Sequence, residues 1–111
     1  MNLKIKKESI EYFKNFENKK LNKLSDQFSS KIYLEDWENK IKGKNNLVNF
    51  LNKIFKNNSF KIEILDFFFN KNKLIVICKL IVAINKKKFK VIDIITFDKK
   101  YKIIKIEAYK C

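Results

Sequence analysis

Residues 91–109 read VIDIITFDKKYKIIKIEAY, two apolar runs separated by a short polar turn. Runs rich in isoleucine and valine on either side of a turn at residues 98–100 are typical of a β-hairpin. The first run contains an acid, Asp93, between Ile92 and Ile94. An ionised carboxylate inside a buried strand costs several kcal/mol unless it is paired or neutralised. Asp93 is therefore the first candidate for a functional residue.

The residues between Asn58 and this hairpin have the same strand character. Runs rich in Ile, Val and Phe are separated by polar turns at 70–73 and 85–88, which predicts four antiparallel strands joined by hairpins. Residues 74–84, LIVICKLIVAI, hardly alternate between apolar and polar, so both faces of the sheet are apolar. Because three helices can cover only one face, we expect the other face to pack against a second subunit in a homodimer.

The N-terminal half has helical character. Residues 6–29 carry apolar residues at helical spacing and predict two consecutive helices that break near 18–20. KIYLEDW, residues 31–37, predicts a short strand that ends in a polar loop. Gly43 precedes NNLVNFLNKIF, residues 45–55, which predicts a third, amphipathic helix. The predicted fold is α+β, with three N-terminal helices packed on one face of a curved antiparallel sheet.

Length and charge bound the possible functions. The 111 residues, 46% of them hydrophobic, suit one domain spanning residues 1–111. The formal charge is +14, but all 26 basic residues are lysines scattered along the chain, and arginine is absent. The longest cluster, Lys86 to Lys88, is expected in a hairpin turn. Base recognition usually uses arginine, so we expect no specific nucleic-acid binding.

Several kinds of site are excluded by composition. The chain has one glycine and no histidine, so a glycine-rich phosphate loop and a serine–histidine nucleophile are both ruled out. Cys78 lies in an apolar run and Cys111 ends the sequence, a spacing that predicts neither a disulfide framework nor a metal site. No apolar run is long enough to span a bilayer and no signal peptide is visible, so we expect a cytoplasmic protein without metal, cofactor or membrane partner.

Three segments together resemble a known superfamily. They are YFKNFENKKLNKLSDQFSSKIYLEDW (12–37), GKNNLVNFLNKIF (43–55) and the hairpin at 91–109. They resemble the nuclear transport factor 2-like superfamily, which includes SnoaL-like proteins and ketosteroid isomerases, over nearly the whole chain. The resemblance implies a cone-shaped α+β fold, commonly dimeric, whose helices and curved sheet enclose an apolar cavity for a small apolar molecule.

The resemblance also implies candidate catalytic residues. Steroid isomerases of this superfamily use a tyrosine on the first helix, a base aspartate after the first short strand and a second aspartate in the third long strand. Tyr12, Asp36 and Asp93 stand at the matching positions. In this interpretation Asp36 moves a proton next to a ketone, while Tyr12 and a neutral Asp93 donate hydrogen bonds to the enolate oxygen.

Each of these residues also has an ordinary structural explanation. Asp93 can pair with a backbone amide or with the Tyr12 hydroxyl, Asp36 can cap a turn, and Tyr12 can be an amphipathic core residue. The cavity implied by the resemblance is expected to be lined by Phe16, Trp37, Phe67, Phe69, Phe89, Val91, Ile95, Phe97 and Ile106.

Three functions remain open. Dehydratases of the superfamily rely on histidine and its epoxide hydrolases on an arginine between two aspartates, and this chain has neither residue type. It is a binding domain for a small apolar molecule, a cofactor-free isomerase, or an interaction module whose pocket is filled by its own side chains. The last alternative requires that Asp93 be paired with protein groups and that no cavity of about 300 Å³ or more remain.

Overall fold

The computed structural model describes residues 3–70 and 73–111. Residues 71 and 72 of the turn predicted at 70–73 lie outside the described residues. The helices are α1 (Leu3–Glu17), α2 (Leu21–Gln27) and α3 (Lys44–Asn57). The strands are β1 (Phe28–Glu35), β2 (Lys40–Lys42), β3 (Phe60–Phe69), β4 (Ile75–Ile84), β5 (Lys87–Phe97) and β6 (Ile103–Lys110). The α+β class, the three helices and the four long strands agree with the sequence prediction.

The strands form one six-stranded sheet in the order β2-β1-β6-β5-β4-β3. Strands β3 to β6 are the predicted antiparallel meander. The prediction of an entirely antiparallel sheet needs one correction, because β1 runs parallel to β6, with Tyr33 beside Lys105. The chain passes through β2 and α3 before it enters the meander, so no hairpin dictates the relative direction of β1 and β6.

The first strand is longer than predicted and has a partner that the sequence did not reveal. It begins at Phe28, which continues the helical spacing of Leu21 and Leu24, so that the residue pattern alone predicts a helix there. It pairs with β2, a strand of only three residues, with Leu34 beside Ile41. A three-residue strand carries too little alternation to be recognised from its residue pattern.

Gly43 makes the start of α3 possible. Its backbone has φ +89° and ψ 148°, a conformation that side chains rarely adopt, and its amide donates to the Ile32 carbonyl at 2.8 Å. The helix then buries Leu47, Leu51 and Phe55. Gly43 thus turns the chain from β2 into a helix that covers the sheet.

The lysine cluster lies differently from the prediction. Only Lys86 is in the β4–β5 turn, together with Asn85, which has φ 58°. Lys87 and Lys88 already belong to β5. Because successive residues of a strand point to opposite faces, these two lysines lie on different sides of the sheet. None of the helices in the described ranges is long and apolar enough to cross a membrane.

Candidate functional site

A cavity of about 960 Å³ lies between the helices and the inner face of the sheet. Its position is shown by the strand residues that line it. On β4 these are Leu80, Val82 and Ile84, and on β5 they are Phe89, Val91 and Asp93. The cavity therefore occupies the end of the sheet near the β4–β5 turn. Asp93 is the lining residue of β5 farthest from that turn, and we call the part of the cavity at Asp93 its floor.

Two polar side chains, Tyr12 from α1 and Asp93 from β5, line the cavity at this depth. Tyr12 is only 4% exposed and packs against the rings of Phe13, at 5.2 Å between centroids, and Phe16, at 6.0 Å. Within the described part of the chain, neither the Tyr12 hydroxyl nor the Asp93 carboxyl has a hydrogen-bond partner. Every fully enclosed side-chain polar atom in that part of the chain has a hydrogen-bond partner. Since these two groups have none, they are not fully enclosed, and they are accessible from the cavity that they line.

Burial controls the ionisation of both groups. It raises the pKa of Asp93 from 3.8 to about 7, and the negative charge of Asp36 adds to the effect. Burial also raises the pKa of the Tyr12 hydroxyl, with a further contribution from Asp93. Near neutral pH a large share of Asp93 carries a proton, so both side chains can donate a hydrogen bond into the cavity.

The third candidate, Asp36, caps a turn and lines the cavity at the same time. Its Oδ1 accepts hydrogen bonds from the backbone amides of Glu38 and Asn39, at 2.8 and 2.6 Å. The Asn39 side-chain amide donates to Oδ1 at 3.2 Å and to Oδ2 at 3.3 Å. The turn-capping explanation is therefore correct. Among the described residues Oδ2 accepts just this one long hydrogen bond, so it retains a lone pair that can accept a proton.

The outer end of the cavity, its mouth, is framed by aromatic rings and lysines. The rings of Trp37 and Phe89 lie 6.4 Å apart. The Lys110 ammonium is 5.4 Å from the Trp37 ring centroid and 5.0 Å from that of Phe89, and the Lys87 ammonium is 5.5 Å from Phe89. Sequence reasoning missed both lysines. The available signal was alternation, because Lys110 follows the lining residues Ile106 and Ala108 at intervals of two.

The structure places the predicted lining residues in two groups. Phe16, Trp37, Phe89, Val91 and Ile106 line the cavity, whereas Phe67, Phe69, Ile95 and Phe97 do not. The second group lies toward the other end of the sheet. Ile95 and Phe97 are closed into the core, at 0% and 3% exposure. Phe67 and Phe69 stack on each other at 6.2 Å, and the Lys6 ammonium of α1 lies 5.7 Å from the Phe67 centroid.

The four residues that miss the cavity occupy the correct face at the wrong depth. Phe67 lies opposite Cys78, and Ile95 lies opposite Val76. Both pairs are on the inner face of the sheet. At this end Ile95 and Phe97 are part of the closed core, and α1 reaches the half-buried Phe67 through Lys6. In the residues that the structure describes, no group of histidine, cysteine or acidic side chains could hold a metal ion.

The sequence matches no known protein-family profile and no curated protein. Solved structures are similar in shape. An NTF2-like protein of unknown function from Cytophaga hutchinsonii aligns with a TM-score of 0.83 at 12% identity, over 96% of this chain and 89% of its own. An LEH-like epoxide hydrolase from M. tuberculosis aligns with a TM-score of 0.87 at 12% identity, over 98% and 84%.

A third similar structure is a candidate ketosteroid isomerase from Kribbella flavida, with a TM-score of 0.84 at 5% identity over 97% of this chain and 78% of its own. Identities this low establish the fold alone. The three helices and the curved six-stranded sheet are the nuclear transport factor 2-like fold, as the sequence resemblance implied.

Proposed function

We propose, starting from the nuclear transport factor 2-like fold of this chain, that its cavity binds a small, mainly apolar molecule carrying a carbonyl-type oxygen. The observation that carries this proposal is a pair of buried, protonatable groups, Tyr12 and Asp93. Both line the cavity, and neither has a hydrogen-bond partner among residues 3–70 and 73–111. A ligand oxygen that accepts from both would replace the hydrogen bonds that these groups lost on leaving water.

The energetics support a ligand of this type. Leaving a buried polar group unpaired costs about 1–3 kcal/mol, and a carbonyl oxygen with two lone pairs can relieve two such groups at once. The walls around them are mainly hydrocarbon, including Phe16, Leu80 and Val91. Burial of an apolar ligand body against such walls contributes about 25 cal/mol per Å². Both terms favour an apolar molecule with one acceptor oxygen.

The interaction-module alternative has less support. It requires a pocket filled by the protein's own side chains and an Asp93 paired with protein groups. The cavity of about 960 Å³ exceeds the roughly 300 Å³ at which ligand pockets begin. Asp93 also lacks a partner among the described residues. Both observations favour a site that receives a ligand.

A second candidate function, isomerisation of a ketone, is favoured by the position of Asp36 on the same cavity. In this reaction Asp36 Oδ2 takes a proton from a carbon next to the carbonyl, and the C–H electron pair forms the enolate double bond. Tyr12 and neutral Asp93 donate to the enolate oxygen. The substrate is a ketone with a C=C bond next to the carbon that loses the proton, so the enolate electrons shift through that bond. Asp36 then returns the proton to the far carbon of the bond, and the double bond ends conjugated with the carbonyl. The epoxide hydrolase chemistry described above needs an arginine, and this chain has none.

The binding proposal can be tested with a matched pair of bicyclic molecules, the ketone decalone and the hydrocarbon decalin. Trp37, the single tryptophan, lies at the mouth and reports binding by fluorescence. We expect decalone to bind more tightly than decalin, and Tyr12→Phe to reduce this preference about tenfold, the effect of one lost buried hydrogen bond. Equal binding of the two compounds would contradict the carbonyl part of the proposal, and binding of neither would contradict the pocket function.

The isomerase candidate has a test of its own. Wild-type protein in D₂O should exchange the hydrogens next to the decalone carbonyl, measured by NMR, and Asp36→Asn should abolish this exchange. Because the Asp36 side chain also caps its turn, the thermal stability of the variant should be measured in parallel. Glu38→Gln, which changes another acid lining the cavity, is the control. Exchange that survives in Asp36→Asn would exclude Asp36 as the base.

A further inference from the structure

The mouth of the cavity carries positive charge that the proposed function does not use. Lys86, Lys87 and Lys110 all line this end, whereas the acids that line the cavity there are Asp36 and Glu38. The Asp36 carboxylate is engaged by the backbone of its own turn. In residues 3–70 and 73–111, none of the three lysines forms an ion pair. The mouth therefore holds unpaired ammonium groups beside a largely apolar space.

Two of these ammonium groups are held in place by aromatic rings. Lys110 lies between Trp37 and Phe89, and Lys87 lies on Phe89 alone, all within 5.5 Å of the ring centroids. An ammonium group over a ring face is attracted by the negative face of the ring's π system. The contact orients the lysine stems along the apolar rim while each ammonium keeps donors for another partner.

We propose that the ligand is an amphipathic anion, with its apolar body in the cavity and a carboxylate-type group bound by Lys87 and Lys110 at the mouth. This inference rests on the proposed function, since it describes the other end of the same ligand. A carboxylate satisfies two ammonium groups at once and restores the local charge balance. A ligand with a cationic end would be repelled from this rim.

The strand geometry sets the length of such a ligand. Phe89 and Asp93 lie on the same face of β5, four residues apart. At roughly 3.3 Å per residue this separation is about 13 Å. The ligand therefore has to place its two polar ends about 13 Å apart, the length of a medium-length carbon chain. Its carbonyl-type oxygen lies at Tyr12 and Asp93, and its anionic group lies at the mouth. An oxo-carboxylic acid with a linear or fused-ring body of this length fits both ends.

The test compares decanoate with decanamide, a neutral molecule of nearly the same shape, by Trp37 fluorescence at low salt. Wild type should prefer decanoate about tenfold, the effect of two partly exposed ion pairs at the upper end of their usual range. The double variant Lys87→Met/Lys110→Met should lose this preference and keep its decanamide affinity. Raised salt should weaken decanoate binding only.

The matched control removes the same charge from the other face of the same strand. Lys88 and Lys90 are exposed on β5 and do not line the cavity. Lys88→Met/Lys90→Met should keep the preference for decanoate. An equal loss in this control would show a general charge effect and overturn the proposal, as would a preference that persists without Lys87 and Lys110.

The possible outcomes distinguish a failure of the anionic-end proposal from a failure of the proposed binding function. If decanamide binds and decanoate has no advantage, the cavity receives apolar molecules and only the anionic end is wrong. If neither compound binds to wild type, the pocket function itself fails. If Asp93→Asn changes the affinity for decanoate and Lys87→Met/Lys110→Met does not, the carboxylate lies at the floor and the proposed orientation is overturned.

Discussion

Asp93 and Cys78 face each other across β4 and β5 as a directly opposed pair on the inner face of the sheet. On its other side Asp93 is opposite Ala108 of β6. The carboxyl group thus lies between a buried thiol and a methyl group, with no cationic side chain at either cross-strand position. This arrangement accounts for a carboxyl whose neutral form is favoured, because burial is not offset by a positive partner.

Asp93 should therefore titrate near pH 7 when its carboxyl carbon is followed by NMR. Tyr12→Phe should change this titration little in the ligand-free protein, because the Tyr12 hydroxyl forms no hydrogen bond to Asp93. The structure thus does not contain the Tyr12 pairing that was one explanation for a buried Asp93. A titration near pH 4 would mean that the carboxyl is solvated, and a large response to Tyr12→Phe would reveal a direct hydrogen bond.

The same group should make stability depend on pH. Between about pH 4 and pH 7 the folded chain keeps a proton on Asp93 that the unfolded chain has released, so the free energy of unfolding falls as the pH rises. Moving a pKa from 3.8 to about 7 corresponds to about 4 kcal/mol, at about 1.4 kcal/mol per pH unit. Asp93→Asn should therefore be more stable than wild type at pH 8, by up to about 4 kcal/mol, and this advantage should vanish below pH 4.

Urea denaturation at several pH values measures this effect. Asp66→Asn, which neutralises an exposed carboxylate on β3, is the matched control and should show no comparable advantage at pH 8. A constant difference between Asp93→Asn and wild type across the whole pH range would contradict the explanation, because it would show that the proton on Asp93 is not involved.

Gly43→Ala should destabilise the fold by about 1–3 kcal/mol, the usual cost of a strained backbone conformation. A Cβ placed on Gly43 would meet no atom within 4 Å, so the cost comes from the φ of +89° and not from a clash. Chemical denaturation measures the change, with the neighbouring Lys44→Ala as a control that should have little effect. A Gly43→Ala variant as stable as wild type would show that the β2–α3 connection adopts another conformation.

The outer face of the sheet should mediate a homodimer. Phe68, Ile77 and Ile94 form one row across β3, β4 and β5, and Phe68 and Ile77 are 51% and 37% exposed. Light scattering of wild type at micromolar concentration should give about twice the chain mass of 13.4 kDa. Ile77→Lys should give the monomer mass. Dimerisation would bury the new ammonium group in an apolar interface without a partner, and burying an unpaired charge is unfavourable.

Leu3→Lys provides the control for this dimer prediction. Leu3 is 71% exposed on α1, the helix whose Tyr12 lines the cavity on the inner face of the sheet, so the same increase in charge there should leave the dimer intact. A monomeric wild type would contradict the sheet-to-sheet dimer. Dissociation of both variants would show that added charge, and not the position of Ile77, controls the association.

Residue periodicity was sufficient to predict three helices and the four-stranded meander, and the resemblance implied a cavity between the helices and the sheet. Tyr12, Asp36 and Asp93, which are far apart in the sequence, all line one cavity. Depth along a strand could not be predicted in the same way. Alternation shows that Ile95 shares a face with Asp93, but only the packing of the helices decides that the cavity stops between them.

The charged mouth shows another limit of sequence reasoning. A lysine in a sequence indicates exposure, and Lys110 is indeed exposed. Its place at the cavity follows from its pairing with Val91 and from the nearby rings of Trp37 and Phe89. Trp37 is far from Lys110 in the sequence, and no local pattern connects the two residues. That Asp93 has no hydrogen-bond partner in the described part of the chain is likewise a property of the assembled fold.

The position of β6 between β1 and β5 has a consequence for how the chain folds. β6 is an inner strand of the sheet, and its pairing with β1 and β5 joins β1 and β2 to the meander. During synthesis β1 is made early, yet it can complete its pairing only after β6 emerges. Such non-local pairing raises contact order and slows folding. The wall that carries Asp36 and the wall that carries Asp93 therefore meet in the last step of sheet assembly.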